Sequence, residues 1–463
     1  MTAADVARVV DGALSGDSDV VITGEVHTDS RLVGVGDVFF AMPGTQTDGH
    51  LFATAAVDAG AALVVAEREL DLAVPVVVVP SSLDALWALA HDVVARVRAG
   101  GGLQVIAVTG SNGKTTTKNM LRAILSEAGE TVAPQGSFNN EVGAPFSMLR
   151  VTPSTGFLVV EMGADALGEI HQMVTRLVMP DVAIVLKVGM AHIGMFGGRE
   201  AIFRAKSELV RDLPAEAIAI LNHDDDRVSA MADLTAARVR WFGIEAPTGP
   251  EDWAAEGVRI GLDGTSFTLS HGELRRDVRL RIIGEHHVYN ALAALAAADA
   301  VGVGIEQAVP ALEALPLAER WRMEIVEGAE GVTIINDAYN ASPDSMAAAL
   351  RTLAELTRGR HRAIAVLGHM AELGDWSAEE HDRVGRQAVK LNIDKLVVVG
   401  AAAKAMYLAA QHEGSWGDEA AYVESADAAY DLLHGLLQPG DVVLVKSSNS
   451  AGLRLLGDRL AGR

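Results

Sequence analysis

Short apolar runs alternate along this chain with longer stretches in which apolar residues return every three or four positions. From residue 105, "VIAV" reads as a strand, and Thr117, Met120, Leu121, Ile124, Leu125 and Ala128 then fall on one helical stripe. The runs "FLVVE" (157–161), "VAIVLKV" (182–188) and "AIAILN" (217–222) follow, with helical patterns between them. Near-continuous apolar strands separated by helices predict a parallel sheet covered on both faces. "TSFTLSHGELRRDVRLRI" alternates around His271-Gly272 and predicts a hairpin. Towards the end "GVTIIND", "RAIAVLG", "KLVVVG" and "DVVLVK" repeat the parallel pattern, so a second doubly wound sheet is expected. The first hundred residues are less regular: "GDVFFAMPG" and "ALVVAE" look like strands around a helix.

Two seams break the pattern, Gly100 to Gly102 and the stretch from Pro310 to Pro316. They divide the 463 residues into 1–102, 103–316 and 317–463, each of ordinary domain size. The expected class is α/β: a small N-terminal α/β domain, a central P-loop-type parallel-sheet domain and a Rossmann-like C-terminal domain.

Composition narrows the chemistry. With 61 Asp and Glu against 38 Lys and Arg, the formal net charge is -23. Such a field repels nucleic acid and anionic membranes, so neither is expected as a partner. There is no cysteine, hence no disulfide, thiolate metal site or cysteine nucleophile. The opening residues have an early Asp and no long apolar core, and the longest apolar run, "LAVPVVVVP", is short and broken by prolines. A signal peptide and a membrane span are therefore not expected, and the chain reads as cytoplasmic.

The stretch "AVTGSNGKTTT" (107–117) carries the most specific chemistry. A strand, a loop of small residues and Lys-Thr at a helix start form a phosphate-binding arrangement. Small residues let backbone N–H groups approach phosphate oxygens, and the helix N-terminus adds partial positive charge. Gly110, Ser111, Asn112, Gly113, Lys114, Thr115 and Thr116 are the nucleotide-binding candidates. Lys114 would neutralise the β and γ phosphates and Thr115 would hold Mg²⁺. Val108 stands where the usual eight-residue pattern has its first glycine, so the loop is a shortened one. The bland alternative is an ordinary tight βα turn. Glu161 closes the next strand as a metal carboxylate candidate, His192 follows another, and Lys206 lies on a helix. Singly each would be structural. Three such groups at strand exits of one nucleotide domain point to a site.

These segments together resemble the Mur ligase family of ATP-dependent amide-forming enzymes. "TGSNGKTT", "FNNEVGAP", "EMGAD", "GMAHIGMFG", "AKSEL", "LNHDDD" and "GEHHVYNALAA" follow in family order. "NDAYNASPDSM", "LGHMAELG" and "LVKSSN" continue it, and "HTDSR" with "FFAMPGTQTDGHLF" resembles a UDP-sugar-binding segment. The set is similar to the branch that adds D-alanyl-D-alanine to UDP-N-acetylmuramoyl-tripeptide. The resemblance implies ATP and Mg²⁺ as cofactors, an acyl-phosphate mechanism and a monomer holding the complete site. It implies Ser30, Arg31, Asp48, His50, Asn139 and Asn140 on the UDP-linked substrate, and Asn290, Arg322 and Asp337 on the nucleotide. Asn340 and Asp344 would line the dipeptide site, although either could simply cap or turn the chain. Thr115 and Glu161 would hold one Mg²⁺, His192 and Glu161 are candidates for a second, and Lys206 would be carbamylated, giving the second ion an oxygen anion. The bland alternative for Lys206 is a surface lysine paired with Glu208 or Glu200. Lys187, His287 and Asn449 depart from the family pattern. Folylpolyglutamate synthetase, the branch adding the third stem-peptide residue, and a non-catalytic P-loop protein are the competing readings.

Overall fold

The computed structural model describes all residues except 45–46, 135–140, 245–248, 317–318 and 415–416. The chain forms two compact units. The first comprises Met1–Ala107, Ala128–Ala164 and Gly168–Asp181; the second comprises Val108–Glu127, Asp165–Leu167 and Val182–Arg463.

In the first unit, Val38–Phe40 and Leu63–Ala66 are the expected strands, and every residue of both is buried. The reason is the period of two along a strand. Val38, Phe40, Leu63 and Val65 face a core with Val6, Leu86 and Leu89 of the helices Ala3–Val9 and Ser82–Ala99. Phe39, Val64 and Ala66 face the opposite core with Ala53 and Ala56 of the helix Ala53–Ala59. The proline-bounded valine run is also a strand, Val76–Val78, parallel to Leu63–Ala66 and antiparallel to Ala13–Ser15. Pro75 and Pro80 only bound it, so the ladder loses no N–H. Further along, Glu130–Val132 pairs in parallel with Thr155–Glu161.

The second unit holds the helix Lys114–Ser126, a run of paired strands from Val182 onward and a six-stranded sheet. The apolar stripe buries Thr117, Met120, Leu121, Ile124 and Leu125, whereas Ala128 lies past the helix end and is exposed. Val182–Val185, Ile218–Asn222 and Arg238–Gly243 run parallel in that order. Trp253–Gly261 then leads into the expected hairpin, Gly264–His271 with Leu274–Leu280. The last sheet has six strands in the order Glu324–Glu327, Thr333–Asn336, Val442–Lys446, Ala363–Leu367, Lys395–Val399, Ala420–Val423. All neighbours are parallel except the first pair. One face is closed by Leu453 and Leu456 of the helix Leu453–Leu460 and by Ala429 and Leu433 of Ala426–Leu436. The architecture is mixed α/β. Among the described residues no helix is long and apolar enough to cross a membrane.

Candidate active site

The glycine-rich loop begins where the Gln104–Thr109 strand ends. Leu186 N–H donates to the Thr109 carbonyl at 3.0 Å, Ser111 N–H to the Lys187 carbonyl at 2.9 Å, and Gly189 N–H to Ser111 Oγ at 2.9 Å. These bonds fix the loop to the exit of the neighbouring strand. Gly113 stands before the helix with φ 89°, and a Cβ there would lie 2.4 Å from Asn290 Oδ1. Glycine is required on both counts, left-handed backbone and close approach. Lys114 Nζ donates to the Gly110 carbonyl at 2.8 Å, so its charge is held over the loop. Thr115 and Thr116 are buried on the first helical turn.

Beside this loop is a cavity of about 290 Å³. Asn112, Gly113, Lys187, His286, Tyr289 and Asn290 line one side, and Arg351, Thr352 and Glu355 of the helix Pro343–Thr357 line the other. Asn290 Nδ2 lies 3.3 Å from His287 Nδ1. Burial pushes His286 down to about 4 and holds His287 well below its ordinary value, where the neighbouring His286 and Arg322 add to the effect. Both imidazoles are therefore neutral at pH ~7.

Basic side chains gather near the loop. Arg322 stacks 4.2 Å over the Tyr339 ring and brings Nη2 to 3.5 Å from Thr115 Oγ1. Lys206, on the helix Arg199–Arg211, is 2% exposed, which removes the surface ion-pair alternative; Glu200 pairs with Arg204 instead. Burial first, and the Lys114 charge second, lower the Lys206 amine to about 7 against the opposing pull of Asp165. His192 adopts φ 61° and sits between two carboxylates, Glu372 at 2.7 Å and Asp165 at 3.2 Å, both approaching Nδ1 without an in-line hydrogen bond. Burial and Lys114 push its pKa down while those carboxylates oppose the shift.

Other sequence candidates are placed as follows. Asp337 is held by Lys446 at 2.6 Å and accepts from Met323 N–H at 3.0 Å. Asn340 gives its carbonyl to Lys446 at 3.0 Å and its side-chain oxygen to Ala341 N–H at 2.9 Å. Asp344 lies in the first turn of Pro343–Thr357, and its Oδ2 accepts from Met190 N–H at 2.7 Å. Glu161, in the first unit, ends its strand with 2% exposure. Thr115 and Glu161 offer the hard oxygen donors that Mg²⁺ takes. Among the described residues no three His, Asp or Glu side chains form a ready-made metal cluster.

The first unit has its own cavity, about 860 Å³, lined by Val26, His27, Asp29, Leu32, Phe146 and Arg150 among others. Ser30 and Arg31 occupy the adjoining turn Ser30–Leu32, where Arg31 is tied to Asp29 at 2.6 Å. Asp48 holds His50 at 2.5 Å, and His50 Nε2 accepts from Glu67 N–H at 2.9 Å. These four are not among the residues lining the cavity. Asn139 and Asn140 lie outside the described residues. The geometry adds Asp165, Glu372, His27 and Arg150. The first three stand inside quoted motifs, whereas Arg150 carries no motif signal.

Three family models match in chain order. The Mur ligase family catalytic-domain model covers residues 24–97, the Mur ligase middle domain 108–298, and the Mur ligase glutamate ligase domain 321–449. The chain is 42% identical to the UDP-N-acetylmuramoyl-tripeptide--D-alanyl-D-alanine ligase of Mycobacterium tuberculosis, over 99% of this chain and 97% of that one. It is 34% identical to the ligase of the same name from Escherichia coli, over 98% and 96%. A crystal structure of MurF from Acinetobacter baumannii superposes with a TM-score of 0.89 at 32% identity, covering 100% of this chain and 99% of that one. By contrast, a solved 2,6-diaminopimelate ligase shares the fold only, with a TM-score of 0.56 at 18% identity over 99% of each chain. On these matches, which run through all three domains, the chain belongs to the Mur ligase family.

Proposed function

We propose that the chain joins D-alanyl-D-alanine to UDP-N-acetylmuramoyl-tripeptide at the expense of ATP. The supporting observation is identity of 42% over 99% of the chain to ligases of that name, together with a shortened glycine-rich loop whose Asn112 and Gly113 line a cavity of about 290 Å³. A MurF from Thermotoga maritima, 27% identical over 95% of this chain and 98% of that one with a TM-score of 0.83, was solved in complex with ADP. That agrees with ATP use.

The chemistry follows from the poor electrophilicity of a carboxylate. Transfer of the γ-phosphoryl group to the substrate carboxylate gives an acyl phosphate and ADP. The dipeptide amine then attacks the acyl carbon, loses its proton, and the tetrahedral intermediate collapses with release of phosphate. Lys114 and the loop N–H groups stabilise the charge on the phosphate oxygens. Arg322 supplies a second cation, and Asn290 orients the nucleoside end. Thr115 and Glu161 would hold Mg²⁺, with His192 at its margin; the ion supplies charge neutralisation at the phosphates when bound. Residues 1–102 would take the UDP-sugar, with Ser30, Arg31, Asp48, His50, Asn139 and Asn140 as its contacts. Residues 103–316 would take ATP. Residues 317–463 would take the dipeptide, with Asn340 and Asp344 beside it and Asp337 at the ribose. Exclusion of water protects the acyl phosphate from hydrolysis.

Lys206 fits a carbamylated lysine, because only a neutral amine takes up CO₂ and this amine is lowered to about 7. Its carbamate would be an oxygen donor for a second Mg²⁺. Activity of Lys206→Ala that is low, and partly restored by acetate, supports this; full activity without acetate removes it. Cytoplasmic location and a monomeric state complete the reading. The direct test is phosphate release with ATP, Mg²⁺, UDP-N-acetylmuramoyl-tripeptide and D-alanyl-D-alanine. Release that requires both acceptor and amine supports the ligase, and release independent of them refutes it.

A further inference from the structure

Two non-glycine residues of the second unit with left-handed backbone face each other. His192 has φ 61° and stands before the short helix Ile193–Phe196. Glu372 has φ 62° and lies in "HMAELG", between the Ala363–Leu367 strand and the turn Gly374–Trp376. Such a conformation is uncommon outside glycine, with asparagine, aspartate and histidine the more frequent exceptions, so Glu372 is the more unusual of the two; it persists where surrounding contacts hold it. Here both the backbone and the side chain of Glu372 are engaged. Gly194 N–H donates to the Glu372 carbonyl at 3.0 Å, and the Glu372 carboxylate reaches His192 Nδ1 at 2.7 Å. At the same point the two backbones touch. A Cβ on Gly194 would lie 2.5 Å from Gly374 N and 2.7 Å from the Glu372 carbonyl oxygen. No side chain can turn aside to admit it, because the obstacle is main chain.

We infer that Glu372 is a positioning residue for His192, delivered by close backbone docking of the Glu372–Gly374 segment onto Gly194. The docking segment belongs to the region matched by the glutamate ligase domain, and His192 and Gly194 to that matched by the middle domain. The contact therefore couples the seating of one domain to the arrangement of a side chain beside Lys114 and Lys206 in the other. A second tie works in the same direction: Asp344 Oδ2 accepts from Met190 N–H at 2.7 Å, two residues before His192. The carboxylate acts on the polar ring of His192 as a nearby charge on a dipole, not through a directed hydrogen bond, since its approach is not in line with a ring N–H and both side chains are partly exposed, 27% and 53%. A modest effect follows for the charge alone and a large one for the backbone contact.

The inference rests on the ligase reading for its activity arm, and a hydrogen-exchange arm stands apart from it. Four full-length proteins are compared: wild type, Gly194→Ala, Glu372→Gln and Glu372→Gly. Alanine is a better helix former than glycine, so Gly194→Ala leaves the local helix sound while blocking the backbone approach. With ADP and Mg²⁺ present, amide exchange in the peptide spanning 190–197 is expected to be slow in wild type and fast in Gly194→Ala. The same variant should lose roughly 100-fold or more in kcat, the scale of misplacing groups around a reacting centre. Glu372→Gln retains the carbonyl and should keep the exchange protection. Its kcat should fall about 3- to 10-fold, as for a partly exposed charge contact, with KM for ATP within about twofold. Glu372→Gly keeps the left-handed backbone and should behave as Glu372→Gln does. In a His192→Ala background the Glu372→Gln effect should vanish, which a merely structural role would not produce. Protected exchange and full turnover in Gly194→Ala would overturn the docking. An undiminished Glu372→Gln effect without His192 would overturn the positioning role. Failure of wild type itself to ligate, with exchange still following the expected order, would remove the ligase reading and leave the docking standing.

Discussion

Replacing Lys206 with methionine should stabilise the protein, and should do so most at neutral and lower pH. The side chain is 2% exposed, and its folded pKa of about 7 lies well below the ordinary 10.5. Burial is the first cause and Lys114 the second. In the window between those values the unfolded chain binds a proton that the folded chain does not. Stability of wild type must therefore rise with pH across it, and the full cost is present below pH ~7. At ~1.4 kcal/mol per tenfold, the ceiling on that cost is about 5 kcal/mol. Relaxation and water entry around a buried ammonium bring the expected gain for Lys206→Met to ~1–3 kcal/mol. The assay is urea unfolding of both proteins in CO₂-depleted buffer at pH ~6, ~8 and ~10, read as midpoints at constant slope. Wild type should gain on the variant as pH rises, and the difference should nearly close at the alkaline end. A pH-independent difference, or a less stable variant at pH ~6, would refute the burial argument. Added bicarbonate gives an internal control. At pH ~7 about half the amine is neutral, against on the order of one part in a few thousand for an ordinary lysine. CO₂ should thus stabilise wild type and leave the methionine variant unchanged.

Lys114→Ala should cut turnover ~100-fold or more with a thermal transition no lower than that of wild type, since it removes a charge over the loop and no core; near-normal turnover in a phosphate-release assay would contradict the phosphate-loop role. Gly113→Ala should weaken ADP binding at least ~10-fold by calorimetry, because the methyl group meets Asn290 Oδ1 at 2.4 Å in a left-handed backbone. Lys187→Asn should keep or raise turnover, because the loop uses the Lys187 carbonyl while the side chain is exposed. A sharp drop there would mean the lysine head group contacts substrate.

Much of the site was legible because its chemistry is local. Small residues at fixed spacing from 110 to 116 dictate a phosphate loop wherever a strand precedes and an amphipathic helix follows. The buried strands were likewise readable as apolar runs. The valine run from Val76 was the exception: its flanking prolines looked like breaks, and only the pairing with Leu63–Ala66 shows that they bound a strand. Ala128 fits the helical period but lies beyond the helix, because periodicity does not record where a helix stops.

What depended on tertiary structure is contact across sequence distance. No spacing rule brings Glu372 to His192 or Asp344 to the Met190 amide, since each pair is joined only when two folded elements meet. The same holds for charge. Helical spacing alone does not set Lys206 apart from an ordinary lysine, family resemblance singles it out, and burial together with Lys114 lowers its proton affinity. Asp48 and His50 sit in a motif that suggests substrate, and only the fold shows that Asp48 holds the His50 ring while His50 Nε2 accepts from the Glu67 amide. Sequence determined which groups were available and the local backbone that carries them. Packing decided which were desolvated, which were paired, and therefore which could act, because electrostatic strength depends on surroundings that the linear order does not contain.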